Sequence, residues 1–90
     1  MKVEFDPEKQ AATLEQRGLD FSRAIDVFAG RHLTRTDDRQ DYGEPRFVTA
    51  GWLDGRLVMV VWTPRGEARR IISMRKVNDR ETEILARALG

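Results

Sequence analysis

Asp54 and Gly55 separate two apolar segments, and this pair constrains the fold more than any other feature of the sequence. A type I′ turn needs positive φ at both central residues, and an Asp-Gly pair is typical of it, so the pair predicts a tight β-hairpin. The arms of the hairpin are residues 47–53 and residues 57–62. The second arm is a continuous apolar run, which is typical of a strand covered on both faces.

A second turn, over residues 64–67, connects the hairpin to a third strand. The two-residue loop of the hairpin pairs Phe47 with Trp62, and a four-residue loop at the second turn pairs Val61 with Arg70. Side chains alternate between the two faces of a sheet, so these pairings assign each strand residue to a face.

The predicted register divides the cations of the third strand between the two faces. Arg70 shares one face with Arg46. The opposite face receives Arg69, Ser73 and Arg75. Two adjacent guanidiniums repel each other unless an anion or a carboxylate lies between them. Arg46 and Arg70 therefore either pair with a carboxylate, such as Glu44 or Glu81, or clamp a phosphate group.

The N-terminal part of the chain predicts two helices. Residues 6–8, Asp-Pro-Glu, are typical of a helix start, and Gly18 is typical of a helix end. A second helix runs from Asp20 to Gly30. Its core-facing stripe, at positions i, i+3, i+4 and i+7, consists of Phe21, Ala24, Ile25 and Phe28. The tight turn between the helices predicts an αα-hairpin.

Short strands are expected over residues 2–5 and 31–36, and Asn78 with Glu81 predicts the capping box of a last helix. Helices segregated from an antiparallel sheet are typical of an α+β domain. We therefore predict a single domain over residues 1–90. It consists of an N-terminal αα-hairpin packed on a three- to four-stranded antiparallel meander sheet, with a C-terminal helix.

Both faces of the predicted sheet are apolar in the middle, but the helical hairpin can cover only one of them. The C-terminal helix covers part of the second face, or a partner protein does. We therefore expect a protein partner on the second face.

The composition excludes several kinds of site. There is no cysteine, which excludes disulfides, thiolate-bound zinc and a thiol nucleophile, and there is a single histidine, His32. We expect no metal and no cofactor.

The net charge of +1 gives no overall attraction to nucleic acid, so anion binding needs a local patch. No apolar run approaches a membrane span and the N-terminus has no signal-peptide pattern, so we expect a cytoplasmic protein without a membrane partner.

A local cationic patch lies in and before the third strand. Residues 65–76 contain one acid, Glu67, and five cations. The cations are Arg65, Arg69, Arg70, Arg75 and Lys76. One interpretation is an edge strand kept soluble by its arginines. The other interpretation is a binding site for an anionic ligand.

The side chains of this chain are sufficient to cleave RNA without a metal ion. RNA carries its own nucleophile, the 2′-hydroxyl group. The protein needs only to orient that group, to stabilise the charge that grows on the phosphorane with guanidiniums, and to assist proton transfer. Glu81 or His32 could act as the base or the acid, and the sequence does not choose between them.

The order of elements and several motifs resemble the BrnT toxins of bacterial type II toxin–antitoxin modules, which are small relatives of the RelE-like ribonucleases. The matching motifs are spread over nearly the whole chain: Phe5-Asp6-Pro7-Glu8-Lys9, Gly18-Leu19-Asp20-Phe21, Glu44 with Arg46-Phe47, Gly51, Arg70-Ile71-Ile72-Ser73 with Arg75-Lys76, and Arg80-Glu81.

The resemblance implies a RelE-like fold and a ribonuclease that inhibits translation by cleaving RNA, with its active site on the sheet. It also implies a BrnA-like antitoxin, a ribbon-helix-helix DNA-binding protein that neutralises the toxin in a hetero-oligomer such as a heterotetramer. The complex would bind operator DNA through the antitoxin and repress its own operon. The alternative is a non-catalytic interaction or corepressor subunit with the same fold.

The motif and the chemistry together give the candidate site residues. The expected catalytic residues are Arg70, Glu81, Arg46 and His32. The expected RNA- and phosphate-binding residues are Arg75, Lys76, Arg65, Arg69 and Ser73. Two positions depart from the family pattern: Gln16-Arg17 stands where a Lys-His pair is common, and the last helix lacks a tyrosine after Glu81.

Overall fold

Five strands form one mixed sheet in the computed structural model, which describes residues 1–90. In chain order the strands are β1 (Lys2–Glu4), β2 (His32–Thr36), β3 (Phe47–Leu53), β4 (Arg56–Arg65) and β5 (Ala68–Lys76). Across the sheet the order is β1-β5-β4-β3-β2. β1 runs parallel to β5, and every other neighbouring pair is antiparallel.

Three α-helices accompany these strands. They are α1 (Pro7–Arg17), α2 (Ala24–Ala29) and α3 (Asp79–Leu89), and a 3₁₀ turn at Phe21–Arg23 precedes α2. The Asp6 carboxylate accepts a hydrogen bond from the Glu8 N–H at 2.9 Å, and Gly18 ends α1 with a φ of 69°. None of the helices has the length and the apolar character that crossing a membrane requires.

The predicted architecture, an N-terminal αα-hairpin on a three- to four-stranded antiparallel sheet, is wrong. The chain is an α+β domain, but its sheet is mixed and has five strands, and α1 follows β1. β1 pairs with the last strand, for example Val3 with Arg69. A pairing between residues so far apart leaves no local pattern in the sequence. The second predicted helix is also shorter, since Phe21–Arg23 forms a 3₁₀ turn before it.

The hairpin prediction is confirmed. Phe47 pairs with Trp62, and Asp54 and Gly55 both have positive φ, at 50° and 77°. A two-residue loop of this kind matches the twist of the strands that it joins.

The second turn has two residues rather than the predicted four, because Arg65 pairs with Ala68. Thr63 therefore pairs with Arg70, where the prediction gave Val61 as the partner. A shift of two residues leaves each side chain on its predicted face. The error in the length of the turn therefore does not change which side chains share a face of the sheet.

The main core lies on one face of the sheet, which we define by Val58, Val60 and Trp62 and call the α2 face. The helical side contributes Phe21, Ala24, Val27 and Phe28, and the sheet adds Ile71 and Met74. The Trp62 ring meets Phe28 edge to face with centroids 5.7 Å apart, and its Nε1–H donates to Thr49 Oγ1 at 2.8 Å. The buried indole thus keeps a partner for its one polar group.

The opposite face, which we define by Leu57, Met59 and Val61 and call the α3 face, is only partly covered. Helix α3 packs there with Leu85, Ala86 and Leu89. These side chains form a small apolar cluster with Leu57 and Met59 of β4 and with Val77, which precedes the helix. Beyond α3 the face opens into a cleft whose floor includes Met59 and Val61. This part of the sheet, which no helix covers, is accessible to a ligand or a partner.

Gly51 lies in β3 beneath α2. A Cβ atom added there would be 2.8 Å from Val27 Cγ1 and 3.2 Å from His32 Cβ, and Val27 is fully buried. We expect Gly51→Ala to lower the free energy of unfolding by about 1–3 kcal/mol, because the added methyl group overpacks the core. Urea denaturation measures this difference.

The matched control is Gly30→Ala, because a Cβ there would meet only the Asp26 carbonyl oxygen, at 3.8 Å. We expect this variant to unfold at the same urea concentration as the wild type. Equal stability of Gly51→Ala and the wild type would contradict the close approach of α2 to β3.

Candidate functional site

An extra residue in β5 changes the direction of the side chains that follow it. Trp62 pairs with Ile71, but the preceding residue of β4, Val61, pairs with Ser73. Ile72 is therefore the additional residue of a β-bulge. Beyond it the alternation of β5 is the reverse of the predicted one.

Because of the bulge, Ser73 and Arg75 join Arg70 on the α3 face. Opposite Thr63, Val61 and Met59 of β4 lie Arg70, Ser73 and Arg75, in that order. The prediction that Ser73 and Arg75 lie opposite to Arg70 is wrong, because it assumed a regular strand. Met74 instead turns to the α2 face, where it is fully buried.

A cleft of about 220 Å³ opens on the α3 face beside these residues. Its floor is apolar and consists of Val48, Met59 and Val61. Its walls carry one hydroxyl group and four guanidiniums, from Ser73, Arg17, Arg35, Arg39 and Arg75. We call it the arginine cleft.

Arg75 is held by a carboxylate of α3. Its Nη1 and Nη2 donate to the Glu81 carboxylate at 3.0 and 3.1 Å, and Nη2 lies 3.2 Å from Met59 Sδ. Glu81 belongs to the capping box of α3, in which Asn78 Oδ1 accepts the Glu81 N–H at 2.8 Å. One ion pair therefore joins the start of α3 to the bulged strand.

Glu81 is a carboxylate at neutral pH. The hydrogen bonds from Arg75 lower the pKa of Glu81 below its ordinary value, and the Asn78 N–H and the charge of Arg35 act in the same direction. Partial burial opposes them and does not prevail. Arg35 and Glu81 line the same hollow on the α3 face, so the Arg35 guanidinium lies near the carboxylate.

Arg17 reaches the cleft from the last turn of α1. Its Nη1 donates to the Met74 carbonyl oxygen at 2.8 Å. β1 pairs only with residues 68–70, so no strand covers the outer edge of β5 beyond residue 70. The end of α1 therefore reaches the backbone of β5 there. The helix end is thereby tied to the strand that carries the bulge.

Arg35 and Arg39 enter the cleft from β2 and the residues after it. Arg35 pairs with Val48 in the sheet. Arg39 donates two hydrogen bonds to the Asp37 carboxylate, at 2.7 and 2.8 Å, and the Asp37 side chain is fully buried. The Arg39 hydrogen bonds lower the pKa of Asp37 against the opposing effect of burial. Asp37 therefore stays ionised and fixes Arg39.

Two of the four guanidiniums in the arginine cleft have no carboxylate partner. Arg75 and Arg39 are paired as described, whereas Arg17 and Arg35 form no ion pair. The cleft therefore has an excess of positive charge above an apolar floor. Guanidiniums in this setting bind oxyanions through charge-assisted hydrogen bonds.

Arg46 and Arg70, which the sequence analysis paired, each have a carboxylate neighbour. Arg46 Nη2 lies 3.8 Å from Glu44, and Arg70 Nη1 lies 3.8 Å from Glu4. The Arg46 guanidinium stacks on the Tyr42 ring at 3.9 Å, and its Nε–H is buried without a partner. Neither arginine lines the arginine cleft.

Three of the candidate residues lie on the α2 face, away from the arginine cleft. They are His32, Arg69 and Lys76. The His32 Nδ1 lies 2.8 Å from the Gly30 carbonyl oxygen, and the Arg69 guanidinium lies 4.2 Å from the centroid of the Trp62 ring. Arg65, at the end of β4, also lies outside the cleft. Of the candidate residues, the structure brings together Ser73 and Arg75 in the cleft, with Glu81 bound to Arg75.

Arg17, Arg35 and Arg39 line the cleft but were not among the candidate residues predicted from the sequence. Arg35 follows Leu33 by two residues in β2, and this spacing could have placed both side chains on the same face of the sheet. Arg17 belongs to a helix, and only the open edge of β5 brings it to the cleft. Nothing in the local sequence around Arg39 indicates that it would line a cleft.

The fold and the cleft define a small α+β protein with a cationic cleft on one face of its sheet. A family model described as "Ribonuclease toxin, BrnT, of type II toxin-antitoxin system" matches residues 5–81. Comparison with curated proteins finds no match. The chain belongs to the BrnT family, as the motifs of the sequence indicated. Membership makes it a ribonuclease toxin of a type II toxin–antitoxin system and implies an antitoxin partner.

The ion pair between Glu81 and Arg75 should make stability depend on acid pH. Because the pKa of Glu81 is lowered on folding from 4.5, this stabilisation is present above pH 4.5 and is lost as the pH falls through the folded-state pKa. We expect the melting temperature to fall less for Glu81→Gln than for the wild type between about pH 6 and about pH 3. Circular dichroism measures both melting curves.

The control is Glu83→Gln, because the exposed Glu83 of α3 makes only a long ion pair with Arg87, at 3.9 Å. We expect this variant to keep the acid sensitivity of the wild type. An unchanged pH dependence in Glu81→Gln would contradict the role of the Arg75 ion pair.

Proposed function

We propose that the chain is a metal-independent endoribonuclease whose active site is the arginine cleft. The observation that carries this proposal is that two guanidiniums without carboxylate partners, those of Arg17 and Arg35, line the same cleft as Arg75 and Ser73. Family membership gives the reaction class, and the cleft offers the positive charge that a scissile phosphate requires.

The nucleophile of the proposed reaction is the 2′-hydroxyl group of the RNA. It attacks the adjacent phosphorus, and the 5′-oxygen leaves and takes a proton from water. The products carry a 2′,3′-cyclic phosphate and a 5′-hydroxyl group. Negative charge grows on the non-bridging oxygens in the transition state. Arg17, Arg35 and Arg75 stabilise this charge with their guanidinium donors. The Met74 carbonyl oxygen orients Arg17, and the Glu81 carboxylate orients Arg75.

Proton transfer from the 2′-hydroxyl group falls to Glu81, which lies beside the arginine cleft. Glu81 is ionised and bound to Arg75, so it can accept the proton of the 2′-hydroxyl group once a phosphate engages that arginine. The Ser73 hydroxyl group orients the phosphate. His32 lies on the α2 face, so the proposed mechanism does not use it.

The reaction requires no metal ligand from the protein. Charge stabilisation by guanidiniums and the internal nucleophile of RNA together provide what a metal ion provides in other nucleases.

Arg70 and Arg46 are assigned to outer contacts with neighbouring phosphates. Arg70 shares the α3 face with Ser73 and Arg75, and its ion pair with Glu4 is long and exposed. Such a pair contributes little to stability, so a phosphate can replace the carboxylate. The apolar floor of the cleft accommodates a ribose or a base.

The antitoxin is proposed to be a BrnA-like ribbon-helix-helix protein that forms a hetero-oligomer, such as a heterotetramer, with this toxin. Family membership implies an antitoxin, and the toxin has a net charge of only +1. A nearly neutral toxin has no strong general attraction to DNA, so operator binding and autorepression fall to the antitoxin. Free toxin would cleave RNA and arrest translation.

Removal of one guanidinium from the cleft should strongly reduce cleavage. We expect Arg35→Ala and Arg75→Ala to lower kcat about 10²–10³-fold, because each removes a donor to the transition state. Arg70→Ala should have a smaller effect, since it removes only an outer contact. The measurement is the rate of cleavage of a purified RNA under single-turnover conditions.

The control for this series is Lys76→Ala, which removes a cation of the same strand on the α2 face. We expect it to cleave as fast as the wild type. A loss in Lys76→Ala as large as that in Arg75→Ala, with both variants folded, would overturn the assignment of the cleft.

Cleavage should continue when metal ions are removed. We expect the purified toxin to cut RNA in EDTA and to leave 2′,3′-cyclic phosphate ends, which mapping of the fragments identifies. Loss of all cutting in EDTA would contradict the metal-independent mechanism.

A folded toxin that binds its antitoxin but cuts no RNA under any condition would support the corepressor alternative instead.

A further inference from the structure

A continuous trough runs along the α3 face into the arginine cleft. Two further hollows, of about 220 and 240 Å³, adjoin the cleft, and all three share Arg35 and Met59. Leu33 lines the first hollow, Ile84 lines the second, and Leu85 lines both. We call the surface formed by these five residues the α3–β2 trough.

One end of the trough is apolar and exposed. Ile84 is 68% exposed and Leu33 is 44% exposed, although both are large aliphatic side chains. The adjacent strand β2 is also uncovered, since all five of its residues are exposed and its outer edge has no neighbouring strand. Contiguous exposed apolar surface beside a free strand edge is typical of a protein-binding surface.

The other end of the trough is cationic. It leads into the arginine cleft, where Arg35 and Arg17 have no carboxylate partner. A complementary occupant therefore has apolar side chains at one end and carboxylates at the other. A second copy of this chain does not match, because its equivalent surface carries the same guanidiniums. RNA alone matches only the cationic end.

We propose that the antitoxin neutralises the toxin with a segment that lies in the α3–β2 trough, packs apolar side chains against Leu33, Ile84 and Leu85, and places acidic side chains on the guanidiniums of the arginine cleft. The carboxylates occupy the positions of the RNA phosphate, so antitoxin and RNA exclude each other. The exclusion of RNA rests on the proposed function, whereas the binding of the antitoxin is measured without RNA.

The test uses the full toxin and its purified cognate antitoxin. Ile84→Ser and Leu33→Thr each remove apolar contact without adding charge, and Leu14→Ser is the matched control, since Leu14 is 48% exposed on α1 outside the trough. We expect the two trough variants to weaken antitoxin binding at least about tenfold and the control to bind as the wild type does. All three should cleave RNA at the rate of the wild type.

A second measurement addresses the cationic end. Arg35→Gln should weaken antitoxin binding and also make that binding less sensitive to salt, because one charge pair is lost. In hydrogen exchange, antitoxin should protect residues 32–36 and 79–89 of the wild-type toxin. These readouts report on the complex even when a variant changes cleavage.

Several results would overturn the proposal. The first is that Ile84→Ser and Leu33→Thr both bind the antitoxin as tightly as the wild type does. The second is that the antitoxin protects amide hydrogens only outside residues 32–36 and 79–89. The third is that toxin saturated with antitoxin still cleaves RNA at the full rate. Dimerisation of the free toxin through this trough, abolished by Ile84→Ser without an effect on antitoxin binding, would assign the surface to a second copy. Failure of the free toxin to cut RNA would remove the proposed function and leave the binding result to decide the trough.

Discussion

One extra residue in β5, Ile72, determines which side chains share the α3 face. In a regular strand Arg75 would point to the core that Met74 fills, and Met74 would point to the cleft. Burial of an unpaired guanidinium in that core would cost far more than the loss of one ladder hydrogen bond at a bulge. The bulge therefore satisfies the core and places Ser73 and Arg75 on the face that the helices leave open.

The arginine cleft depends on partial neutralisation. Four guanidiniums around one cleft repel each other, and the carboxylates of Glu81 and Asp37 reduce that repulsion because they bind Arg75 and Arg39. Both carboxylates have a lowered pKa, so this support is in place at neutral pH. The remaining excess of positive charge is available to an anion, whether a phosphate of RNA or a carboxylate of a protein.

Local signals predicted the hairpin, the helix caps and the capping box at Asn78, because each depends on a few adjacent residues. The parallel pairing of β1 with β5 was not predictable, because it joins residues far apart without a local pattern. The bulge was not predictable either, since Ile71 and Ile72 are both compatible with either face. Ser73, Arg75 and Glu81 were named from the sequence, but their assembly with Arg17 and Arg35 was not predictable. It depends on the bulge, on the open β5 edge that admits Arg17, and on the pairing of Arg35 in β2 with Val48.

The central claim, that RNA binds in the arginine cleft, is tested most directly by NMR with a short oligonucleotide that lacks 2′-hydroxyl groups and so binds without being cut. We expect the side-chain Nε–H signals of Arg35 and Arg75 to shift on titration, because a phosphate replaces water or Glu81 as their partner. The Arg69 signal should stay in place, since that guanidinium lies over the Trp62 ring on the α2 face. Shifts confined to the α2 face, with Arg35 and Arg75 unchanged, would contradict the account.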